Sequence, residues 1–217
     1  MAKTILNPVQ KQILAQLAKN KIFGSNFYLS GGTALSEFYL HHRFSEDLDF
    51  FSENEIDITW LNSLAKKISK EIKSVKTDIK QSFNRNLVFF EVDNVIKTEF
   101  TYYPFPQIEK ARIINGIKID SLTDIAVNKF FTVYQKPSAR HFIDLYLILK
   151  DKEYKFENLQ KMARMKFDFA IDQIQLGSQL IKSREVKDLP HMIIDIPEND
   201  WRNYFVELAK GLKSRII

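Results

Sequence analysis

At 217 residues the chain is long enough for one large domain or two small ones with a real core. Its hydrophobic fraction of 45% and charged fraction of 27% are those of a globular protein, and no run approaches the ~18 apolar residues of a membrane span. The absence of cysteine excludes a disulfide scaffold, thiolate metal sites and a cysteine nucleophile, while a net charge of +5 suits a polyanion such as RNA or a nucleotide, or simply a lysine-rich solvated surface.

Residues Met1 to Asn20 read as a polar-faced helix without the apolar core and cleavage site of a signal peptide. The expected location is therefore cytoplasmic, with no membrane partner. Within that segment a helix is expected from Pro8 to Ala18, with Val9, Ile13, Leu14 and Leu17 at helical spacing. Asn26 to Leu29 reads as a strand that stops at Ser30-Gly31-Gly32. A helix from Thr33 to about His42 follows, with Thr33 as N-cap. A second strand is expected over Asp47 to Ser52, and an amphipathic helix over Ile58 to Lys73. Three further strands follow, Val75 to Gln81, Leu87 to Val92 and Val95 to Tyr102, the last two joined by a two-residue turn at Asp93-Asn94. After a short extended piece at Gly116 to Ile119, helices are expected at Ser121 to Tyr134, Ser138 to Leu149, Lys155 to Met165, Phe169 to Ser183 and Glu198 to Lys213. The fold class is α/β (α+β), a mixed sheet with flanking helices and then a helical half. The expected division is a core domain over 1–120 and a helical region over 121–217 packed on it. In that region Trp201, Tyr204 and Phe205 read as core plugs rather than RNA-stacking rings.

The segment from Phe27 to Phe51 carries the chemistry. Two glycines between a strand and a helix let the backbone approach a ligand closely and aim N–H groups at it, an arrangement suited to phosphate. Thr33 adds a hydroxyl. Asp47 and Asp49 are two apart on a strand, so they share a face while Leu48 and Phe50 point to the core. Neighbouring carboxylates repel, and a divalent cation is their simplest stabiliser; Mg²⁺ favours carboxylates together with substrate phosphates. A Gly-Gly turn is usually just a turn, and an Asp-x-Asp pair is usually solvated. The two on consecutive elements point to a phosphate-plus-metal site.

The turn Gly31-Gly32-Thr33 followed by Arg43-x-Ser45-x-Asp47-x-Asp49-Phe50-Phe51 resembles the signature of the AbiEii/AbiGii nucleotidyltransferase toxins, part of the polymerase-β-like nucleotidyltransferase superfamily. The resemblance runs from the first helix to about Leu149 and is strongest between Tyr28 and Phe51. It implies a nucleotidyltransferase fold, an NTP donor, Mg²⁺ (with Mn²⁺ as a substitute), a toxin or phage-defence role, a cognate antitoxin, and tRNA as acceptor. It also implies a third carboxylate on a neighbouring strand. The Lys97-x-Glu99 pattern matches, making Glu99 the choice and Glu91 the reserve. Ser121-Leu-Thr-Asp124-Ile-Ala-x-x-Lys129 is similar to the family's motif in which a helical lysine reaches the nucleotide phosphates. Asp124 in a first helical turn is also favoured by the dipole alone.

In Arg140-His141-Phe-Ile-Asp144 a carboxylate enters a helix that is apolar nearly all round, so it needs a cation or donors. Arg140, one turn earlier, is the expected partner. Relatives carry an acid where this chain has His141, which leaves Asp144 as the family's matching residue. His41 and His42 diverge on a helix and are not expected to bind metal. The resemblance thus implies catalytic Asp47, Asp49, Glu99, Lys129 and Asp144, metal on Asp47, Asp49 and Glu99, and nucleotide on Gly31, Gly32, Thr33, Arg43, Ser45 and Lys129. The expected reaction is attack of an acceptor hydroxyl, at the 3′ end of tRNA, on the α-phosphate of an NTP. Transfer to a protein hydroxyl and a non-catalytic nucleotide- or RNA-binding module are the alternatives; no helix-turn-helix signature supports a DNA-binding reading.

Overall fold

The computed structural model describes residues 4–150 and 154–213. Residues 1–3, which open the expected Met1 to Asn20 segment, and 151–153 and 214–217, which fall in the expected helical region, lie outside the described residues. The chain clusters into two compact units, one of residues up to His41 with Ser45–Ser121, the other of His42–Phe44 with Leu122 onward.

The first unit is a mixed seven-stranded sheet with helices. Helix α1 (Pro8–Ala18) starts where Pro8 fixes the first turn and Asn7 and Gln10 form a capping box. A short α2 (Lys21–Asn26), capped by the Asn20 side chain, occupies the start of the expected strand. Six residues with one buried side chain, Phe23, offer no helical period to read. The strand proper is β1 (Tyr28–Ser30). Helix α3 (Gly31–Leu35) begins two residues before Thr33, so Ser30 rather than Thr33 holds the N-cap position. After Leu35 the helix widens into one π-turn, Ser36–Leu40, closed by His41 in the left-handed region.

There follow β2 (Leu48–Ser52), α4 (Ile58–Glu71), β3 (Lys76–Ser82), β4 (Arg85–Glu91), β5 (Val95–Tyr102), β6 (Arg112–Ile114) and β7 (Ile117–Ile119). The last two form a hairpin whose turn, Asn115-Gly116, has positive φ at both residues, the conformation an Asn-Gly pair favours. Strand order is β3-β4-β5-β2-β1-β7-β6. The central pairing is parallel, β2 against β5, and sets Asp49 beside Glu99. On the opposite face Phe50 and Phe100 pack with Phe23 and Phe27, ring centroids 5.0 to 6.5 Å apart, and Leu61, Leu64, Ala65 and Ile68 of α4 are buried. Burial of one face commits the other to polar work.

The second unit is helical: α5 (Leu122–Gln135), α6 (Ala139–Lys150), α7 (Phe156–Phe167), α8 (Gln173–Ile181) and α9 (Glu198–Lys213). Helix α8 starts four residues later than expected because Asp172 caps it through the Gln175 amide. His42–Phe44 joins this unit through an antiparallel bridge of Arg43 to Met192 and a Phe44 N–H to His191 carbonyl bond. Trp201 and Phe205 are core residues as expected, against Phe142. No helix among the described residues is long and apolar enough to cross a membrane.

Candidate active site

Strand β2 alternates buried and half-exposed residues: Leu48 and Phe50 are inaccessible, while Asp49 and the preceding Asp47 open outward. Gly31 has φ +71°, a backbone that glycine adopts without cost. A Cβ on Gly31 would overlap an oxygen of the Asp49 carboxylate. The glycine turn and the second acid therefore touch, which follows from Ser30 and Asp49 being paired across β1 and β2.

Thr33 ties the turn to the first acid. Its hydroxyl, wholly buried, donates to the Asp47 carbonyl and lies 2.9 Å from the Ser45 hydroxyl. Both of its bonds go to the frame of the site, which corrects the expectation that this hydroxyl is presented to a phosphate. The loop before β2 is fixed further by Gln10, whose amide donates to the Ser45 and Glu46 carbonyls at 3.3 and 2.9 Å. Nothing in the sequence singled out Gln10, since a capping-box glutamine looks local.

The acids are compensated by cations from β4 and β5. Lys97 Nζ is 2.5 Å from Asp47 Oδ2. Arg85 forks onto Glu99, Nε to Oε1 at 2.6 Å and Nη2 to Oε2 at 2.5 Å, and Thr101 donates to Oε1 at 2.8 Å. Burial pushes the Glu99 carboxyl upward, but the hydrogen bonds of Arg85 and Thr101 outweigh it and hold Glu99 below the usual carboxylate range. The same bond, against the opposing effect of burial, raises the Arg85 guanidinium, with Asp49 and Asp47 adding smaller contributions. Glu99 is thus a buried anchor for an arginine, whereas Asp47 and Asp49 face solvent. Glu91, the reserve, pairs with Val95 four residues along β5 from Glu99 and is remote from the acids. Among the described residues no cluster of three or more His, Cys, Asp or Glu side chains is disposed to hold a metal ion. The half-exposed carboxylates that share this face are Asp47 and Asp49, whose hard oxygens are the donor chemistry that suits Mg²⁺.

A buried carboxylate that sequence reasoning missed backs the turn. Asp120, fully buried after β7, accepts from Ser30 Oγ and Gln107 Nε2, each at 2.7 Å, and its carbonyl accepts from the Tyr39 hydroxyl at 2.6 Å. The signal available was an aspartate closing an apolar strand.

In the helical unit Asp144 is wholly buried and held by three groups. Arg43 donates bidentately at 2.7 and 2.8 Å, Lys129 Nζ lies at 2.6 Å, and His42 Nε2 at 2.8 Å. Burial pushes the Asp144 carboxyl up, yet Lys129 and Arg43 together hold it well below the usual range. The expected partner Arg140 is exposed. An arginine delivered by the 42–44 segment reaches the buried carboxylate, whereas Arg140 keeps its charge in water. His141 is pushed down to about 4 by burial and by the neighbouring Lys129 charge. Asp124 lies in the first turn of α5, as expected, and is also buried and paired with Lys166 at 2.7 Å.

The family described as "Nucleotidyl transferase AbiEii toxin, Type IV TA system" matches residues 12–214. An uncharacterized protein of Aquifex aeolicus (strain VF5) is 32% identical over 152 residues, 68% of this chain and 70% of its own length. In fold the chain is similar to a Helicobacter pylori structure provisionally described as a nucleotidyltransferase (TM-score 0.63, 19% identity, 95% of this chain and 92% of that one). It is also similar to MenT4, a nucleotidyltransferase toxin of Mycobacterium tuberculosis H37Rv (TM-score 0.54, 12% identity, 94% and 84%). With a glycine turn seated on an Asp-x-Asp strand and a family match over nearly its whole length, the chain belongs to the AbiEii nucleotidyltransferase toxins of type IV toxin–antitoxin systems.

Proposed function

We propose that the protein moves an NMP from an NTP to a hydroxyl at the 3′ end of tRNA, in the cytoplasm, with Mg²⁺ (or Mn²⁺) held by Asp47 and Asp49 and with a cognate antitoxin opposing it. The observation that carries this reading is the Asp49 carboxylate lying over Gly31. Phosphate-holding backbone and cation-holding side chain are within one contact of each other. Gly31 and Gly32 turn their amides to the β- and γ-phosphates, with Ser45 at the edge of the same loop and Thr33 locking the loop to Asp47. When bound, the cation supplies Lewis acidity and charge stabilisation at the transferred phosphate.

Lys97 orients Asp47, and Arg85 holds Glu99 ionised and oriented. That makes Glu99 a positioning residue rather than a third ligand in this reading. The family resemblance assigns Arg43 and Lys129 to phosphate charge; within its own unit, Asp144 fixes both and is itself a positioning residue.

The test is incubation with each labelled NTP, Mg²⁺ and total tRNA. Wild-type protein labels RNA, and Asp49→Ala does not. Equal labelling by both overturns the site, and label that survives RNase but not protease moves the acceptor to a protein.

A further inference from the structure

One cross-sheet row runs Lys80, Leu87, Glu99, Asp49, Ser30, from the outer edge of the sheet to the glycine turn. In-line transfer keeps the attacking and leaving oxygens on opposite sides of the phosphorus. With the leaving pyrophosphate on the glycine side, the acceptor must approach from the side of β4 and β3. Those strands form a hairpin with two features its own folding does not require. At its tip, in a two-residue turn between Ser82 and Arg85, Phe83 is fully exposed with φ +27°. Glycine or asparagine is the usual occupant of such a backbone, and a bulky ring is strained there. Directly after the turn, Arg85 is pinned by Glu99 along its Nε edge while the side chain stays 53% exposed, so its Nη1 donors are held in a fixed direction. The hairpin carries Lys76, Lys80 and Arg85 against Asp78 and Glu91, and Lys80 Nζ reaches the Asp78 carboxylate only at 3.9 Å with both side chains half or more exposed. Lys80 lies over the outward Phe89 ring, 5.3 Å from its centroid.

We infer that the β3–β4 hairpin is the acceptor arm, binding a single-stranded polynucleotide with Phe83 stacked on a base and Arg85 and Lys80 on backbone phosphates. Rings interleaved with cations on a rigid support are the means by which proteins hold single strands without reading sequence. A protein acceptor would gain from Phe83 but bring no backbone phosphate to the Arg85 edge or to Lys80, whose contact with Asp78 is long and exposed. The inference rests on the reading of Asp47 and Asp49 as the transfer site, which fixes the side of approach.

The experiment is fluorescence anisotropy of a labelled single-stranded RNA oligonucleotide on the full chain, without NTP. Wild-type protein, Phe83→Ala and Lys80→Ala are compared across a salt series. Phe83→Ala is expected to weaken binding by on the order of tenfold at every salt, and Lys80→Ala to flatten the salt slope by about one counterion. Unchanged melting temperatures and unchanged affinity for a non-hydrolysable NTP show that fold and donor site are intact. If Phe83→Ala and Lys80→Ala bind the oligonucleotide as tightly as wild type, the acceptor arm is overturned, whatever the transfer assay gives. If they lose binding while Asp49→Ala still transfers NMP, the arm stands and the catalytic assignment falls.

Discussion

The acid face of the sheet and the Asp144 cluster of the helical unit are made of the same materials, carboxylates against lysine and arginine, and differ in water. Asp47 keeps 35% of its side chain exposed and is met by one half-covered lysine, whereas Asp144 has none exposed and is met by two cations and a histidine. An accessible pair is weakly coupled and exchangeable, so its acid is free to take a cation and a substrate. A buried set is costly to assemble and costlier to break, so its role is to fix geometry. Solvation, more than composition, separates the group proposed to act from the group that holds.

The largest expected effect comes from breaking the buried side of this comparison. Asp144→Ala leaves Arg43 and Lys129 buried without their counter-charge and should cost about 3–5 kcal/mol in urea unfolding; a loss under about 1 kcal/mol would place the cluster in water after all. On the open side, Asp49→Asn should reduce transfer by on the order of 10²–10³-fold while unfolding free energy changes by less than about 1 kcal/mol. A matching loss of stability would make Asp49 a structural residue.

Acid titration sharpens the contrast further. His141 titrates at about 4 in the folded protein against 6.5 unfolded, so between those values the unfolded chain binds the extra proton and stability falls as pH falls. The loss should approach about 3 kcal/mol near pH 4 and disappear in His141→Gln. Asp144 and Glu99 have lowered carboxyls, so their contributions stay complete above the ordinary carboxylate range and fade only below it. The decline from pH 6.5 to about 5 therefore belongs to the histidine. The smallest effect is Gly31→Ala, where left-handed strain and overlap with Asp49 should cost about 1–3 kcal/mol and reduce transfer by displacing the acid; Gly24→Ala, with open space around it, is the matched control.

Much of this was legible in the chain itself, and the parts that were not share a cause. The alternation Asp47-Leu48-Asp49-Phe50 gives the strand, its buried face and its acid face in one reading. The Gly-Gly break places a turn where the sheet brings Ser30 opposite Asp49. What stayed hidden depends on pairing between distant segments. Arg85 at Glu99 requires the β4–β5 register, and Asp120 behind Ser30 spans 90 positions. The choice of Arg43 over Arg140 for Asp144 is made by tertiary packing, since i,i+4 spacing on a helix shows only that a reach is feasible. The short α2 and the π-turn after Leu35 escaped for a local reason: neither lasts long enough to show a period.

The parallel pairing of β2 with β5 has a consequence for biosynthesis. Asp47 and Asp49 leave the ribosome well before Lys97 and Glu99, and the strand that β2 leans on is Val95–Tyr102. A nascent chain stopped before that strand carries the acids without the lysine that orients Asp47, and with β2 unpaired on that edge. On the proposed roles of Asp47 and Asp49, a truncated translation product that ends before this strand is expected to be inactive in transfer.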